Sequence, residues 1–470
     1  MTKSYESDRI SSQEIEQGLL SGLLQLGQEL LRGVFEGKSA LLSEKSRENK
    51  SLMNLENKGK KERKYLSIFG MIEIERSLYW SPSKGSYYEL DEALKLPKKQ
   101  WSYNLQEWVG ETASSSNFEE SVELLNKILG LNLSGKSSQR NARNLGCYVE
   151  PYYENLAKEK EATAVCFSAS FDGKGVPKIV EQQAIKGNPK KRLGPGEKQG
   201  KKQMATVSVS SSFEPRSRTK ASVLGSLVGL KKNSNTEESR SKKENENRWH
   251  KKIHRRAFLD NQSQAIRYGL DDIRLRMVNP LSRFVVPIDG GIGLENKVLS
   301  YVKEYGMEEQ FDGIIIDIIH VSEYVWDVGT ALFGAKSVLR TDWVRDLLED
   351  LLDSKVELVL LDLKRIRKKG TLTTSQAKQL DKIIRYLKNH GHNMDYKYFI
   401  EKGYPISSAL VESTCGHLVK DRMEDSGMRW SSEGAQNIMD LRAVKINGNM
   451  TDFIQFVITQ QRKTLLHSAA

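Results

Sequence analysis

Cysteine is scarce in this sequence, and long apolar segments are absent from it. The three cysteines among 470 residues are far apart and odd in number, which excludes a disulfide framework and a cysteine-rich zinc module. Hydrophobic residues make up 38% of the chain, and no apolar run approaches the ~18–20 residues of a membrane span, which excludes an integral membrane protein. The first residues also lack the basic-then-apolar order of a signal peptide. We therefore expect a soluble protein in a reducing, cytoplasmic compartment.

Basic residues outnumber acidic ones, and the surplus is concentrated in two polar segments. The 73 Lys and Arg against 61 Asp and Glu give a net charge of +12. Residues 186–202 contain seven basic residues and one acidic residue, and residues 231–256 contain ten and four, so each segment carries +6. Both segments are predicted to be flexible loops. Binding to a polyanion such as nucleic acid and simple solvation explain such loops equally well.

The length favours two to four structural units, and the N-terminal third of the chain predicts helix and a small sheet. Apolar residues between positions 12 and 42 recur with a helical period. The polar residues 44–64 that follow predict a linker. Residues 65–80 alternate between apolar and charged side chains and contain a glycine, which predicts a β-hairpin.

Two further helices resemble a helix-turn-helix in outline. Residues 118–129 form an amphipathic pattern that stops at Gly130, and Ser134 is a good N-cap for a second, polar and basic helix. That second helix would offer Arg140 and Arg143 to DNA. Ordinary packing of a helical hairpin produces the same pattern, and it is the slightly favoured interpretation.

The central part of the chain predicts a mixed α/β sheet. Residues 164–172 and 203–213 alternate in polarity, as strands with one buried face do. Residues 284–289 and 314–319 do not alternate and are apolar apart from Asp289 and Asp317, which is typical of central parallel strands, and a helix over 294–305 would join them in a βαβ unit. Residues 323–400 are helical in pattern throughout. A last helix is expected to begin near Ser407 or Ser408.

Three acidic residues occupy positions from which they could serve one site. Asp172 and Asp289 end predicted strands and are each followed by glycine, and Glu412 lies on the last predicted helix. Carboxylates beside a buried sheet need charge compensation, for which a divalent cation is the usual source. Two Mg²⁺ ions held by such carboxylates activate a hydroxyl for attack on a phosphodiester. Taken one at a time, each acid is more simply a turn or surface residue.

Several motifs in the expected order resemble the catalytic region of bacterial insertion-sequence transposases of the ISKra type. The main motifs are FDGKGVP at 171–177, LGPGEKQGKKQMATV at 193–207, IDIIHVSEYVW at 316–326 and VESTCGHLVKDRM at 411–423. Shorter matches are GMRW at 427–430, LRA at 441–443, YLSIFG at 65–70 and LQEW at 105–108. The resemblance thus extends from about residue 65 to residue 448.

This resemblance implies an RNase H-like catalytic domain with an Asp-Asp-Glu metal triad and an all-helical insertion before the glutamate. It assigns Asp172, Asp289 and Glu412 as catalytic residues that bind Mg²⁺ or Mn²⁺. It places Asp317 and His320 next to the metal, although Asp317 is an alternative to Asp289 as the second metal ligand. The residues expected to contact DNA are Arg140, Arg143, Lys174, Lys201, Lys202, Lys420, Arg422 and Arg429.

The expected function is that of a DNA transposase that cleaves and joins the ends of an insertion sequence by two-metal-ion phosphoryl transfer. The alternatives are an RNase H-like, structure-selective nuclease that does not join strands, and an inactive DNA-binding derivative. The expected partner is DNA, with the chain forming a homo-oligomer on it in the bacterial cytoplasm at the nucleoid, without a membrane or a small-molecule cofactor.

The expected organisation has five segments. They are an N-terminal helix and linker (1–64), a small β and helical region with the helix-turn-helix (65–160), the first part of the core with the basic loops (161–322), a helical insertion (323–400), and a segment that completes the core with the Glu412 helix and a tail (401–470).

Overall fold

The computed structural model describes residues 11–48, 56–82, 85–163, 165–179, 202–229, 249–291, 293–368, 371–425 and 427–467. The chain divides into two compact units. The N-terminal unit comprises Met1–Leu156 with Glu433–Ala470, and the central unit comprises Ala157–Ser432. This division differs from the five expected segments, because the residues after Ser432 group with the N-terminal part and not with the segment that carries Glu412. No helix among the described residues is both long and apolar enough to cross a membrane.

The N-terminal unit begins with a long helix on a small sheet. Helix α1 (Ser12–Glu48) is followed by the antiparallel strands β1 (Glu56–Ser67), β2 (Gly70–Ser81) and β3 (Gly85–Tyr88), which lie in that order. Leu31, Phe35 and Leu42 of α1 pack against the sheet. Strands β1 and β2 confirm the hairpin predicted for residues 65–80.

The segment expected to be a linker, residues 44–64, is mostly regular structure. Helix α1 extends to Glu48, and β1 begins at Glu56. The first seven residues of β1 are exposed, and the strand lies at the edge of the sheet. Backbone hydrogen bonds to β2 hold the strand there, so its first half needs no apolar side chains. A polar sequence of this kind lacks the alternation from which a strand is predicted.

Short helices continue the N-terminal unit, and they include the predicted helical pair. They are α2 (Glu89–Ala93), α3 (Tyr103–Ala113), α4 (Glu120–Leu129), α5 (Gly135–Gly146) and α6 (Val149–Asn155). Gly130 ends α4 in a left-handed conformation, with φ of 64°. The Ser134 side chain caps α5 and forms a reciprocal capping box with Ser137. The helix–turn–helix outline is therefore present, and its role in DNA binding remains a prediction.

The central unit is built on a mixed five-stranded sheet. Its elements are β4 (Cys166–Pro177), β5 (Lys202–Phe213), α7 (Lys220–Leu227), β6 (His250–Leu259), α8 (Gln262–Arg276), β7 (Arg283–Ile288), α9 (Leu294–Glu304) and β8 (Phe311–Ile316). The strand order is β6-β5-β4-β7-β8. The pairs β4–β5 and β5–β6 are antiparallel, whereas β4–β7 and β7–β8 are parallel. The two continuously apolar strands are thus parallel and joined by a helix, as predicted.

Helices follow the sheet and confirm the predicted helical insertion. They are α10 (Ile318–Phe333), α11 (Val338–Leu352), α12 (Val356–Lys368), α13 (Thr374–His390), α14 (Tyr396–Glu401) and α15 (Ala409–Thr414), which a π-helical turn (Cys415–Lys420) connects to α16 (Asp421–Met423). Two last helices, α17 (Ser432–Ile446) and α18 (Met450–His467), end the chain. The mixed α/β core with an all-helical insertion is therefore confirmed.

Three details of the core differ from the predictions. Asp172 lies within β4 and not at its end, because the strand stays paired with β5 as far as Pro177. Strand β8 ends at Ile316, so His320 lies in the first turn of α10 and not at a strand end. Strand β6 lies inside the second basic segment, which we expected to be a loop.

Strand β6 was not predicted, because its buried positions include an arginine. Arg256 is 1% exposed, and its guanidinium lies 4.7 Å from the ring centre of Phe258 and 5.3 Å from that of Tyr268. Aromatic rings thus cover a charge that the sequence indicated as solvated. The remaining parts of the two basic segments, residues 180–201 with Lys201 and residues 230–248, lie outside the described residues.

Candidate functional site

The parallel strands bring three aspartates to one level of the central sheet. Strands β4 and β7 pair with a sequence offset of 117 residues, and β7 and β8 pair with an offset of 28. The same offsets separate Asp172 from Asp289 and Asp289 from Asp317. The backbone N–H of Asp317 donates to the carbonyl of Ile288 at 2.8 Å, so the pairing extends to this level. Equivalent positions on parallel strands share a face of the sheet, so a register of β4 and β7 that continues beyond Ser168 and Val285 would place the three side chains on one face.

Helix α15 brings Glu412 to the same place, and Ser408 connects the two. The backbone N–H of Ser408 donates to Asp317 Oδ2 at 3.0 Å, and its hydroxyl donates to the same oxygen. That hydroxyl also lies 3.2 Å from Glu412 Oε1. His320 Nε2 lies 3.3 Å from Glu412 Oε1. One ligand atom from each of Asp317, His320 and Glu412 lies within 4.8 Å of the others, a spacing that allows one metal ion.

Asp172 belongs to the same cluster electrostatically. Burial raises the pKa of Asp172, and the negative charges of Asp289 and Glu412 raise it further, against hydrogen bonds from Cys415 and from the backbone N–H of Gly173. Cys415, which bonds to Asp172, lies three residues after Glu412, so the segment that carries Glu412 also contacts Asp172.

The negative charge of the cluster is poorly compensated. Asp317 is fully buried, and burial raises its pKa although Ser408 and the Ile319 N–H donate to it. His320 supplies a positive charge: its hydrogen bond with Glu412 raises the pKa of His320 to about 9 and lowers that of Glu412. One imidazolium, with Lys382 beside Asp289, thus faces four carboxyl groups, which we call the acidic cluster: Asp172, Asp289, Asp317 and Glu412.

Helix α13 of the helical insertion packs beside Asp289. The Tyr386 hydroxyl of α13 donates to the Asp289 carbonyl at 2.8 Å. Gly290 has φ of 82°, and a Cβ there would lie 3.0 Å from the Tyr386 hydroxyl, so this turn requires glycine. A cavity of about 240 Å³ opens at this point, lined by Asp289, His320, Glu323, Tyr324, Asp327 and Lys382.

The acidic cluster fits a hard divalent cation. Carboxylate oxygens are the ligands that Mg²⁺ and Mn²⁺ prefer, and incompletely compensated carboxyl groups provide the charge to attract them. Asp172, Asp289 and Glu412 could form one ligand set, and Asp317, His320 and Glu412 could form another. Both Asp289 and Asp317 lie at the cluster, so the choice between them as the second triad acid stays a prediction.

The predicted DNA-contacting residues of the central unit differ in exposure. Arg422 is 1% exposed and lies 4.8 Å from the ring centre of Trp430, so it packs in the core, and the prediction that it contacts DNA was wrong. Lys202 lies 2.6 Å from Glu424, and Lys174 lies 3.9 Å from the same carboxylate. Lys420 and Arg429 are exposed, as a DNA contact requires.

Arg140 and Arg143 line a basic cavity in the N-terminal unit. This cavity has a volume of about 410 Å³ and also contains Lys98, Lys99, Trp101 and Tyr148. Arg143 is bonded to Glu433 at 2.8 Å, and Lys99 donates to Asn144 at 2.7 Å. Basic side chains around aromatic rings are typical of a surface that binds nucleic acid.

Sequence reasoning missed Ser408, Tyr386 and Lys382 as members of the site. Ser408 was expected only as a helix N-cap, yet its hydroxyl makes no capping bond to α15 and instead contacts Asp317 and Glu412. The N-cap signal identified the residue but gave no indication of these partners. Tyr386 and Lys382 carry no local signal, because only the packing of α13 brings them near Asp289.

Comparison with known proteins gives information on the N-terminal part of the chain. No curated protein matches the sequence. The stretch that resembles a known family ends before β4, so it includes none of the four acids of the acidic cluster. Residues 6–161, about a third of the chain, match the model of a family described as Uncharacterised protein family (UPF0236).

Proposed function

We propose that this protein is a DNA transposase that cleaves and joins the ends of a mobile element at the acidic cluster. The observation that carries the proposal is the convergence of four carboxyl groups from distant parts of the chain. Asp172 lies in β4, Asp289 and Asp317 directly follow the next two strands of the sheet, and Ser408 connects Asp317 with Glu412. Carboxylates concentrated in this way, with little positive charge, are suited to metal-assisted phosphoryl transfer.

Within this proposal, the triad Asp172, Asp289 and Glu412 would hold Mg²⁺ or Mn²⁺, with Asp317 as the alternative second acid. Bound divalent cations supply an activated hydroxyl and stabilise the leaving oxygen of the phosphodiester. Ser408 orients Asp317 and Glu412 through its hydroxyl, and His320 keeps Glu412 ionised. The hydroxyl of water would be the first nucleophile, and the freed 3′-hydroxyl the second.

DNA binding would involve both units. Arg140 and Arg143, with the other basic side chains of the 410 Å³ cavity, would hold the DNA backbone in the N-terminal unit. In the central unit, the exposed Lys420 and Arg429 would contact phosphates. Lys174 and Lys202 would do so after exchanging their partner Glu424 for phosphate oxygens.

The proposal is tested by strand transfer on DNA that carries the repeats flanking this gene. We expect cleavage and joining that require Mg²⁺ or Mn²⁺, and loss of both in Glu412→Gln and Asp172→Asn. Glu309→Gln, which changes an exposed glutamate of the same unit, is the matched control and should keep full activity.

Other outcomes of this assay contradict the proposal in distinct ways. Cleavage without joining would identify a nuclease, and DNA binding without cleavage under any metal condition would identify an inactive DNA-binding derivative. Full activity of Glu412→Gln would exclude the triad.

A further inference from the structure

Helix α1 of the N-terminal unit is apolar on two opposite faces. One face packs on the three-stranded sheet through Leu31, Phe35 and Leu42. The opposite face is solvent-exposed, and the large apolar side chains on this side of the helix, each 50–64% exposed, are Leu19, Leu23, Leu26, Leu30, Val34 and Leu41. Helices that are apolar all round are normally buried all round. The exposed face therefore indicates a surface that binds a partner.

The exposed face has the spacing of a coiled-coil seam. Its central line, which we call the outer seam, consists of positions 19, 23, 26, 30, 33 and 37, which follow one another by four, three, four, three and four residues. That spacing aligns side chains along one line that faces a second helix. Residues 17–28 contain no charged residue, so the first half of the seam calls for an apolar helix as its partner.

The side chains of the outer seam are large at one end of the seam and small at the other. Its first four residues are leucines and its last two are Gly33 and Gly37, where an added Cβ would meet nothing within 4 Å. A glycine inside a helix costs ~1 kcal/mol relative to alanine, and the packing of the single chain gives no reason for either one.

An antiparallel second copy of α1 would match this asymmetry. Leu19 and Gly37 lie nine residues on either side of position 28, and Leu23 and Gly33 lie five residues on either side. With position 28 at the twofold axis, each of these leucines would therefore face a glycine of the other copy. Leu26 and Leu30 would meet at the centre, where apolar layers pack best.

The charges near the ends of the seam favour the same orientation. Glu16 and Lys38 lie near opposite ends of α1, so an antiparallel pair brings each near its opposite charge in the second copy, whereas a parallel pair brings like charges together. Glu29, near the centre, lies 3.4 Å from Arg32 of its own helix. We propose that α1 binds α1 of a second copy of this chain in an antiparallel contact along the outer seam. The proposal does not depend on the reaction at the acidic cluster.

The first test is the mass of the full-length protein without DNA, measured by light scattering over a range of concentrations. We expect twice the 53.4 kDa of one chain. The double variant Leu23→Glu/Leu30→Glu should dimerise at least ~100-fold more weakly, because it would bury carboxylates in an apolar seam. Gln25→Glu adds a charge to an exposed position of α1 outside the outer seam and should leave the mass unchanged.

The double variant must be shown to fold, which an unchanged circular dichroism spectrum and melting temperature would establish. A folded double variant that keeps the dimer mass overturns the proposal. A monomeric wild-type chain at all concentrations also overturns it, and flotation of that monomer with lipid vesicles would then assign the face to a lipid surface.

The orientation is tested by disulfide cross-linking in a Cys147→Ser background, since Cys147 is the exposed cysteine of the chain. A mixture of Leu19→Cys and Gly37→Cys chains should cross-link under mild oxidation, and Leu19→Cys chains alone should not. Cross-linking of Leu19→Cys with itself would show a parallel pair and overturn the antiparallel arrangement.

Discussion

Two carboxylate sites in the central unit differ in how their charge is balanced. Asp272 of α8 is 1% exposed and is surrounded by basic side chains: Lys158 at 2.9 Å, Arg276 at 2.8 Å and the imidazole of His254 at 2.7 Å. Burial alone would raise the pKa of Asp272, but His254, Lys158 and Arg276 reverse that effect and lower it. In the acidic cluster, by contrast, the pKa values of Asp172 and Asp317 are raised.

This contrast separates a structural cluster from a functional one. A carboxylate that is paired with cations on several sides holds the fold together and has no capacity left for a ligand. Carboxylates that crowd together around one histidine make the folded state less stable and keep an affinity for cations. Asp272, which lies on α8 beside β5, therefore has its charge balanced, whereas the carboxyl groups of the acidic cluster do not.

The largest effect is expected from Asp272→Asn, which would leave buried cations without their counter-charge. We expect a loss of ~3–5 kcal/mol in the free energy of unfolding, measured by urea denaturation. Asp271→Asn, which changes the neighbouring residue on the same helix, whose side chain is 39% exposed, should alter that free energy by less than ~0.5 kcal/mol. Equal effects of the two variants would contradict the view that the charge of Asp272 balances the basic side chains around it.

The effect of Asp272→Asn should also depend on pH. Because the folded state lowers the pKa of Asp272, the stability from its ionised form is fully present above the unfolded value near 3.8 and is lost as the pH falls further. The difference between wild type and variant should therefore be constant from pH 5 to 7 and shrink below ~4. If the difference in unfolding free energy between wild type and Asp272→Asn grew at low pH, it would contradict a lowered pKa of Asp272.

Magnesium should stabilise the wild-type protein through the acidic cluster. At ten times the dissociation constant, a single bound ion adds ~1.4 kcal/mol to the free energy of unfolding, and this is measurable as a rise in melting temperature. Glu412→Gln should remove most of this rise, whereas Asp271→Asn should keep it. Ca²⁺ or Mg²⁺ stabilising both variants equally would place the ion elsewhere.

The smallest effect is expected from Asp172→Asn in the absence of metal. Because burial and the neighbouring acids raise the pKa of Asp172, its ionised form costs stability at neutral pH. Replacing it should stabilise the metal-free protein by up to ~1 kcal/mol at pH 7, and the gain should vanish as the pH approaches 3.8. A loss of stability at pH 7 would contradict the unbalanced character of this cluster.

The sequence allowed much of the acidic cluster to be predicted. Polarity placed Asp172 and Asp289 at the ends of predicted strands and Glu412 on a predicted helix, and the resemblance to transposases selected them as a triad. Their role in catalysis remains a prediction. The position of Asp172 within β4 was predicted wrongly, because polarity did not show that β4 and β5 stay paired beyond it.

The balanced cluster was not predictable in the same way. Asp272 and Arg276 lie on α8, whereas Lys158 and His254 come from two other segments, and each of the four is individually an ordinary polar residue. Only the packing of α8 on the sheet reveals that they are buried together. Residues 56–64 of β1 and strand β6 were missed for a related reason, since a polar edge strand and an arginine under aromatic rings do not follow the apolar pattern from which strands are predicted.

The difference between the two clusters is tested most directly by counting bound Mn²⁺ ions with electron paramagnetic resonance. Wild type and Asp271→Asn should bind Mn²⁺ with the same affinity, whereas Asp172→Asn and Glu412→Gln should each bind it at least ~10-fold more weakly. Equal Mn²⁺ binding by all four proteins, or none by the wild type, would contradict a metal site at the acidic cluster.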